Sequence, residues 1–415
     1  MTGFLENISS HIWGNGLIFL LLATGIVYTL KLKFIQFGTI PFLIKNIRSK
    51  PTGNNGISQW KTVCMSLGTA MGTGNITGVA AALALGGPGA VFWMWISALL
   101  GMALVYAENT LSVIYSTKEC RGPMAYLSRG LGVPALAVCF AVMCLAASIG
   151  MGGMIQVSSL MDCIDSNPGR SSIPAALIIF LLIFLVTSGG AKRIGSAAQT
   201  LLPAASILYG IMCIIVLVRF RQELPGALRS IFTQAFGFEQ AASGGAGYAV
   251  SVGIRRGIFS NEAGLGSSPI LHSAAESDSP HLQGMWSMFE VFFDTIICCT
   301  MTALVVICAP GDGSPVGAFT AVIGDISGIL LPAAMAVFAF CTIIGWYYCG
   351  ETAWKFLSGK TSSGKIFSLV FSAAASLGAV ASLNTVWIIS DIFNGLMAFP
   401  NLLGLILLIK RVKKE

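Results

Sequence analysis

Apolar residues run through this chain in blocks of about twenty, and short polar or glycine-rich segments separate the blocks. A helix needs roughly 20 apolar residues to cross the hydrocarbon of a bilayer. Eleven blocks meet that length: residues 13–30, 62–86, 90–115, 132–160, 173–190, 197–218, 246–274, 284–309, 316–347, 366–384 and 386–409. The pattern predicts an all-α polytopic membrane protein with eleven transmembrane helices. Two blocks are interrupted by glycine and small polar residues: LGTAMGTGNITGVA at 67–80 and IRRGIFSNEAGLGSSP at 254–269. In lipid, each backbone N–H or C=O left without a partner costs several kcal/mol. A break survives only where something else satisfies those groups. Paired breaks at matching positions in two halves of a chain point to a solute and ion site near mid-membrane.

Composition and charge sharpen this picture. Hydrophobic residues make up 55% of the 415 and charged residues only 10%, with mean hydropathy +0.81. Soluble domains carry about 25% charged residues, so a soluble fold is excluded. The net charge of +7 then concerns membrane orientation, not nucleic acid. The loops 31–61, 116–131, 191–196, 275–283, 348–365 and 410–415 together hold 18 Lys and Arg, and the opposite loops hold 4. This asymmetry places the N-terminus outside and the C-terminus in the cytoplasm. No Lys or Arg precedes Lys31, so the first block is expected to be a retained helix and not a cleaved leader.

With the first helix set aside, ten spans remain. They divide into 62–218 and 246–409, of 157 and 164 residues. Five spans per half make the halves enter the membrane from opposite sides, an inverted repeat. The expected organisation is residues 1–61 as a peripheral first helix and cytoplasmic loop, 62–220 as the first repeat, 221–245 as an extracellular loop and 246–415 as the second repeat with a short tail.

The first break combines Gly68, Gly72, Gly74 and Gly78 with Thr69, Thr73, Asn75 and Thr77. Its second half-helix would present free N–H groups near Thr73–Asn75, which suit a carboxylate. Its first half-helix would present carbonyls near Gly68 and Met71, hard oxygen ligands that suit Na⁺. In the second break, carbonyls around Gly257–Ser260 could receive an ammonium group. Arg255, Arg256 and Glu262 lie at membrane depth, where charges are paired or functional; the plainer reading has the arginines snorkelling or pairing with Glu262, and Glu262 holding backbone N–H groups. Gln156 could line the pocket or bond a neighbouring helix, Thr342 could ligate a cation or bond its own helix, and Trp346 could wall the pocket or sit at an interface. Glu108, Glu290, Asp294, Asp325 and Asp391 read first as structural, and His272 and His281 as weak proton candidates. GTGNIT lacks the final glycine of a dinucleotide loop, and the SGKT at 358–361 lacks the first glycine of a phosphate loop, where Trp354 stands.

Longer motifs carry a resemblance. GTGNITGVAAALALGGPGAVFWMW, RRGIFSNEAGLGSSPI, FDTIICCTMTAL and GLMAFPNLLGL resemble the bacterial and archaeal alanine/glycine:cation symporter family, the sodium:alanine symporters. GPMAYLSRGLG, AKRI and FAFCTIIGWYY follow in the family's order. The resemblance implies a LeuT-like five-plus-five inverted repeat preceded by one extra helix, in a bacterial or archaeal plasma (inner) membrane. It implies Na⁺-coupled import of a small neutral amino acid, alanine or glycine, by alternating access; H⁺ coupling or a glutamine preference are the alternatives. It implies no enzyme activity and no organic cofactor. The partners are the amino acid and membrane lipid, without nucleic acid, and whether as monomer or oligomer is left open.

Carried over by motif, the resemblance implies that Gly72, Thr73, Gly74 and Asn75 hold the carboxylate, with Gln156 beside them. Gly257, Ile258, Phe259, Ser260 and Asn261 would meet the amine, and Trp346 would limit side-chain size. Na⁺ would lie between the Gly68 and Met71 carbonyls and residues Cys341 and Thr342. The family pattern has Ser-Thr where this chain has Cys341-Thr342, and a thiol is a poor Na⁺ ligand.

Overall fold

A computed structural model describes residues 2–46, 57–164, 172–236, 245–275, 279–311, 313–359, 364–381 and 383–413. Arg48, Lys50, Arg170, Lys360 and Lys414 of the charge asymmetry, and Thr361 of the SGKT run, lie outside the described residues. The helices that matter for the site are α1 (Asn15–Lys31), α2 (Gln59–Ala70), α3 (Thr77–Gly86), α4 (Gly89–Tyr115) and α5 (Pro134–Cys163). They are followed by α6 (Ser172–Thr187), α7 (Gly190–Arg219), α8 (Leu224–Ala235), α9 (Gly245–Asn261) and α10 (Ser268–His272). The chain closes with α11 (Pro280–Cys308), α12 (Ser327–Ser358), α13 (Gly364–Ser376) and α14 (Leu383–Leu407). Among the described residues, the one pairing of extended backbone is a parallel bridge between Ile57 and Ala275, where Ile57 N donates to Ala274 O at 3.2 Å.

Seven helices among the described residues are long and apolar enough to cross a membrane: the run ending at Lys31, α4, α5, α7, α11, the run Pro315–Ser358 containing α12, and α14. The chain is therefore a multi-pass membrane protein. Each of the other four expected spans coincides with shorter helices. Two are the broken pairs, α2 with α3 and α9 with α10. The other two are α6 and α13, which are apolar but shorter than a full crossing. The surface agrees with lipid contact. On α6, Ile173, Leu177, Ile178, Leu181, Leu182 and Leu185 are all exposed, a patch that water would not tolerate on a soluble monomer.

The core forms around α4 and α12. Helix α4 packs against α1, α9 and α11, and α12 packs against α2, α5 and α7. The segment 221–245 is not wholly a loop. Ala227, Ile231 and Ala235 recur at helical spacing and are buried on one face of α8, which lies on α4. A Cβ at Gly89 would stand 2.5 Å from the backbone of Gln234, so that glycine permits the contact.

Candidate functional site

Both expected breaks exist. In the first, α2 ends at Ala70, Met71 leaves helical geometry with ψ 74°, and Gly72 is extended at φ −106°, ψ −155°. A single 3-10 turn, Thr73–Asn75, follows before α3 begins at Thr77. Steric fit explains the glycine: a Cβ on Gly72 would lie 2.6 Å from Gln156 Oε1 and 2.8 Å from Thr342 Oγ1. The Thr73 N–H and Oγ1 both donate to Gln156 Oε1, at 3.0 and 3.1 Å, and the Gln156 amide nitrogen donates to Met151 O at 3.3 Å. An amide oxygen thus meets the free donors of the second half-helix. Thr342 Oγ1 donates to Gly68 O at 2.9 Å, and Cys341 packs where a Gly68 Cβ would come within 3.1 Å. Met71, Gly68, Cys341, Thr342 and Gln156 therefore surround one end of this break, all buried.

The second break begins later than the residue pattern suggested. Helix α9 continues through Asn261, with Glu262 N still donating to Ile258 O at 2.9 Å. The stretch Gly257–Ser260 is helical, so the unwound carbonyls expected there are displaced toward the end of α9, where the last helical carbonyls lack an intrahelical partner. Gly257 is a packing glycine: its Cβ would stand 2.1 Å from Ser97 Oγ and 3.1 Å from Met94 Cα of α4, the close approach small residues give membrane helices. The chain unwinds at Glu262, a non-glycine residue at φ +54°, followed by Gly264 and Gly266 at φ +85° and +88°. A left-handed side-chain-bearing residue costs about 1–2 kcal/mol. Glu262 is held there because its buried carboxylate accepts from Trp346 Nε1 at 2.9 Å and from Ser267 Oγ. Trp346 is fully buried and approaches α5 only because Gly152 has no Cβ, which would sit 2.1 Å from that of Trp346.

The two breaks face each other. Gly74 lies against the Phe259 ring, 3.6 Å from where its Cβ would be, and Phe259 tilts on Trp387 with centroids 4.7 Å apart. Asn75 Nδ2 donates to Asp294 Oδ1 at 2.6 Å, and Ser260 Oγ donates to Asp294 Oδ2 at 2.7 Å. Asp294, with Thr295 Oγ1 also donating at 2.9 Å, joins both breaks through one carboxylate. The residue pattern placed Asp294 among structural acids and missed this role. The available signal was an acid within an apolar span, one helical turn after Glu290. Asp294 sits in a π-helical stretch, Phe292–Cys299, and a second such stretch, Ser148–Met154, supplies the Met151 carbonyl that holds Gln156. Such stretches re-aim side chains and frequent functional sites. Asn75 Oδ1 and Asn261 Nδ2 are buried without a partner among the described residues, and Asn261 Oδ1 accepts from Ala263 N at 3.0 Å.

The ion-pair partner of Arg255 is Asp391 and not Glu262. Arg255 bonds Asp391 of α14 and lies 5.6 Å from the Trp13 ring, while Arg256 stands 4.7 Å over the Trp387 ring.

Known proteins decide the family. The family model described as "Sodium:alanine symporter family" matches residues 1–415. The chain belongs to the sodium:alanine symporter family. The family is one of symporters and not of enzymes. The chain is 38% identical to the sodium/alanine symporter AgcS of Methanococcus maripaludis, over 97% of this chain and 94% of that protein. It is 35% identical to the probable sodium/glutamine symporter GlnT of Bacillus subtilis, over 97% and 87%. In three dimensions it resembles MhsT, solved in complex with L-phenylalanine, with TM-score 0.64 and 16% identity over 86% of this chain and 90% of that one. That likeness establishes the fold, the LeuT-like architecture expected from the motifs.

Proposed function

We propose that this family member imports a small neutral amino acid, alanine or glycine, together with Na⁺ by alternating access. The observation that carries the reading is the meeting of two unwound helices, buried and joined through Asp294, in a membrane-embedded bundle. The four shorter helical segments complete eleven spans, with the N-terminus outside and the C-terminus in the cytoplasm of a bacterial or archaeal plasma membrane.

The substrate carboxylate takes the place of the Gln156 amide oxygen at Thr73, where N–H donors of the second half-helix converge with partial positive charge. Gly72, Gly74 and Asn75 complete that end. The ammonium meets the terminal carbonyls of α9 around Phe259–Asn261, with Gly257 supporting the helix from behind and Ile258 O already bonded to Glu262 N. Phe259 covers the side chain, and Trp346 fixes the depth of the second break. Na⁺, as co-transported cargo, takes oxygens from Gly68, Met71 and Thr342, beside the Cys341 thiol. One charge crossing 100 mV releases about 2.3 kcal/mol, or roughly a 50-fold concentration ratio, so a single Na⁺ suffices to drive accumulation. No bond is made or broken.

Uptake of labelled alanine, glycine and glutamine into proteoliposomes, with an imposed Na⁺ or H⁺ gradient, tests the assignment. Uptake of alanine or glycine with Na⁺ and not with H⁺ alone is expected. Accumulation driven equally by H⁺ without Na⁺ would overturn it.

A further inference from the structure

A second buried polar cluster lies one helical turn and more from the breaks, on residues the transport site does not use. It joins three elements: Gln59 and Ser66 of α2, His272 at the end of α10, and Gln283 and Glu290 of α11. His272 is completely buried and Glu290 is 5% exposed. His272 Nε2 lies 3.0 and 3.1 Å from the two Glu290 oxygens, and Nδ1 lies 2.8 Å from Gln283 Oε1. Gln283 is oriented by a reciprocal amide pair with Gln59, at 2.6 and 3.2 Å. Ser66 Oγ donates to Glu290 Oε2 at 2.6 Å.

Both imidazole nitrogens therefore face acceptor oxygens. A neutral imidazole has one N–H and one lone pair. With the Gln283 oxygen turned toward Nδ1, the arrangement is satisfied when one more proton is present, on Nε2 or on the Glu290 carboxyl; a neutral imidazole is satisfied instead when Nε2 donates to Glu290 and the Gln59–Gln283 amide pair turns over to offer Nδ1 a donor. Without that proton, and with the amides as they stand, one imidazole lone pair faces an acceptor oxygen inside the protein, where an unpaired polar contact is most costly, and its relief requires the amide pair between α2 and α11 to turn over. We propose that His272 and Glu290 form a proton-binding site, separate from the sodium and amino-acid sites, whose proton fastens both half-helices to α11. The proton comes from water and returns to water when α2 and α10 part from α11, so transport becomes pH-dependent.

A small cavity lies between this cluster and the second break. Ser66, Asn261, Glu262, Ser268, Ser287 and Glu290 border it, and it has room for about one water molecule. Asn261, whose buried Nδ2 has no partner among the described residues, is one of its lining residues. Glu290 and Glu262 of the second break thus border one cavity. Besides Glu262, the titratable groups around the cluster are Cys64 on α2, Tyr106 on α4, bonded to His281 of α11 at 2.8 Å, and Cys349 on α12, which bonds Ser267 O at 3.8 Å. Lys61 of α2 reaches Ser196 Oγ of α7 instead. Among the described residues, His272 is thus the basic side chain within hydrogen-bond distance of Glu290.

The test rests on the proposed transport and separates from it. Sodium-driven alanine uptake is measured in proteoliposomes with equal pH on both sides, between about pH 6 and pH 9. Wild-type uptake is expected to rise at least about threefold as the proton leaves. His272→Gln, which keeps a donor toward Glu290 without titrating, and Glu290→Gln are expected to flatten the profile. A His272→Gln variant with the wild-type profile, or a wild type with none, overturns the proposal. Absence of uptake at every pH counts against the transport reading instead. Nitrogen-15 NMR of the histidines, of which the chain has three, judges the site without variants or transport. The His272 signal is expected to titrate within that pH interval, and a signal constant throughout overturns the site.

Discussion

Replacing Gly72 with alanine probes the carboxylate end of the site with one methyl group. Its φ of −106° is open to any L-residue, so backbone strain is no obstacle and the effect is steric. The added Cβ would stand 2.6 Å from Gln156 Oε1 and 2.8 Å from Thr342 Oγ1, where ordinary contact begins at 3.4 Å. Both atoms must retreat by about 0.6–0.8 Å. Gln156 Oε1 ends a flexible side chain, whereas Thr342 Oγ1 is carried on the stiff χ1 of a β-branched residue, and the retreat pulls Gln156 from Thr73 and Thr342 from Gly68. Overpacking of this size costs about 1–3 kcal/mol, which corresponds to about 5- to 150-fold in half-saturation. Because the methyl touches the carboxylate end and the cation end together, Gly72→Ala should raise the half-saturation constants for both alanine and Na⁺. The assay is sodium-driven uptake over a grid of alanine and Na⁺ concentrations, with thermal unfolding in detergent as the control. A stable variant with both constants within about twofold of wild type would show that Gly72 does not border the solute.

Three further substitutions test other parts of the geometry. Asn75→Ala removes the side chain joining the first break to Asp294 and should abolish uptake while the protein still folds; normal uptake would take Asn75 out of the site. Cys341→Ser exchanges a soft thiol for an oxygen ligand beside Gly68 and should lower the Na⁺ half-saturation severalfold, whereas an unchanged value would mean that position 341 only packs. Trp346→Phe deletes the donor to Glu262 Oε1 and leaves a buried carboxylate oxygen short of a partner, a loss of about 1–3 kcal/mol; thermal unfolding indistinguishable from wild type would refute that account of the left-handed Glu262.

Some of this protein was legible in its residues alone. Block length and polarity determine that the chain crosses a membrane repeatedly, because lipid admits only backbone whose polar groups are satisfied within the segment. The first break was legible too. Gly72 and the Thr73-Gly74-Asn75 turn place four small or polar residues in succession, and that local chemistry disfavours a continuous helix. The second break was legible in kind but not in position. A glycine in an apolar helix either unwinds it or lets a neighbour approach, and only the presence of Met94 and Ser97 against Gly257 shows that this one packs while the chain unwinds at Glu262. Partnerships across the fold were beyond the sequence for the same reason. Asp294 with Asn75 and Ser260, Glu262 with Trp346, and His272 with Glu290 each join different helices. A buried side chain's role depends on which partner satisfies it, and helix packing, not residue order, brings that partner within hydrogen-bond reach.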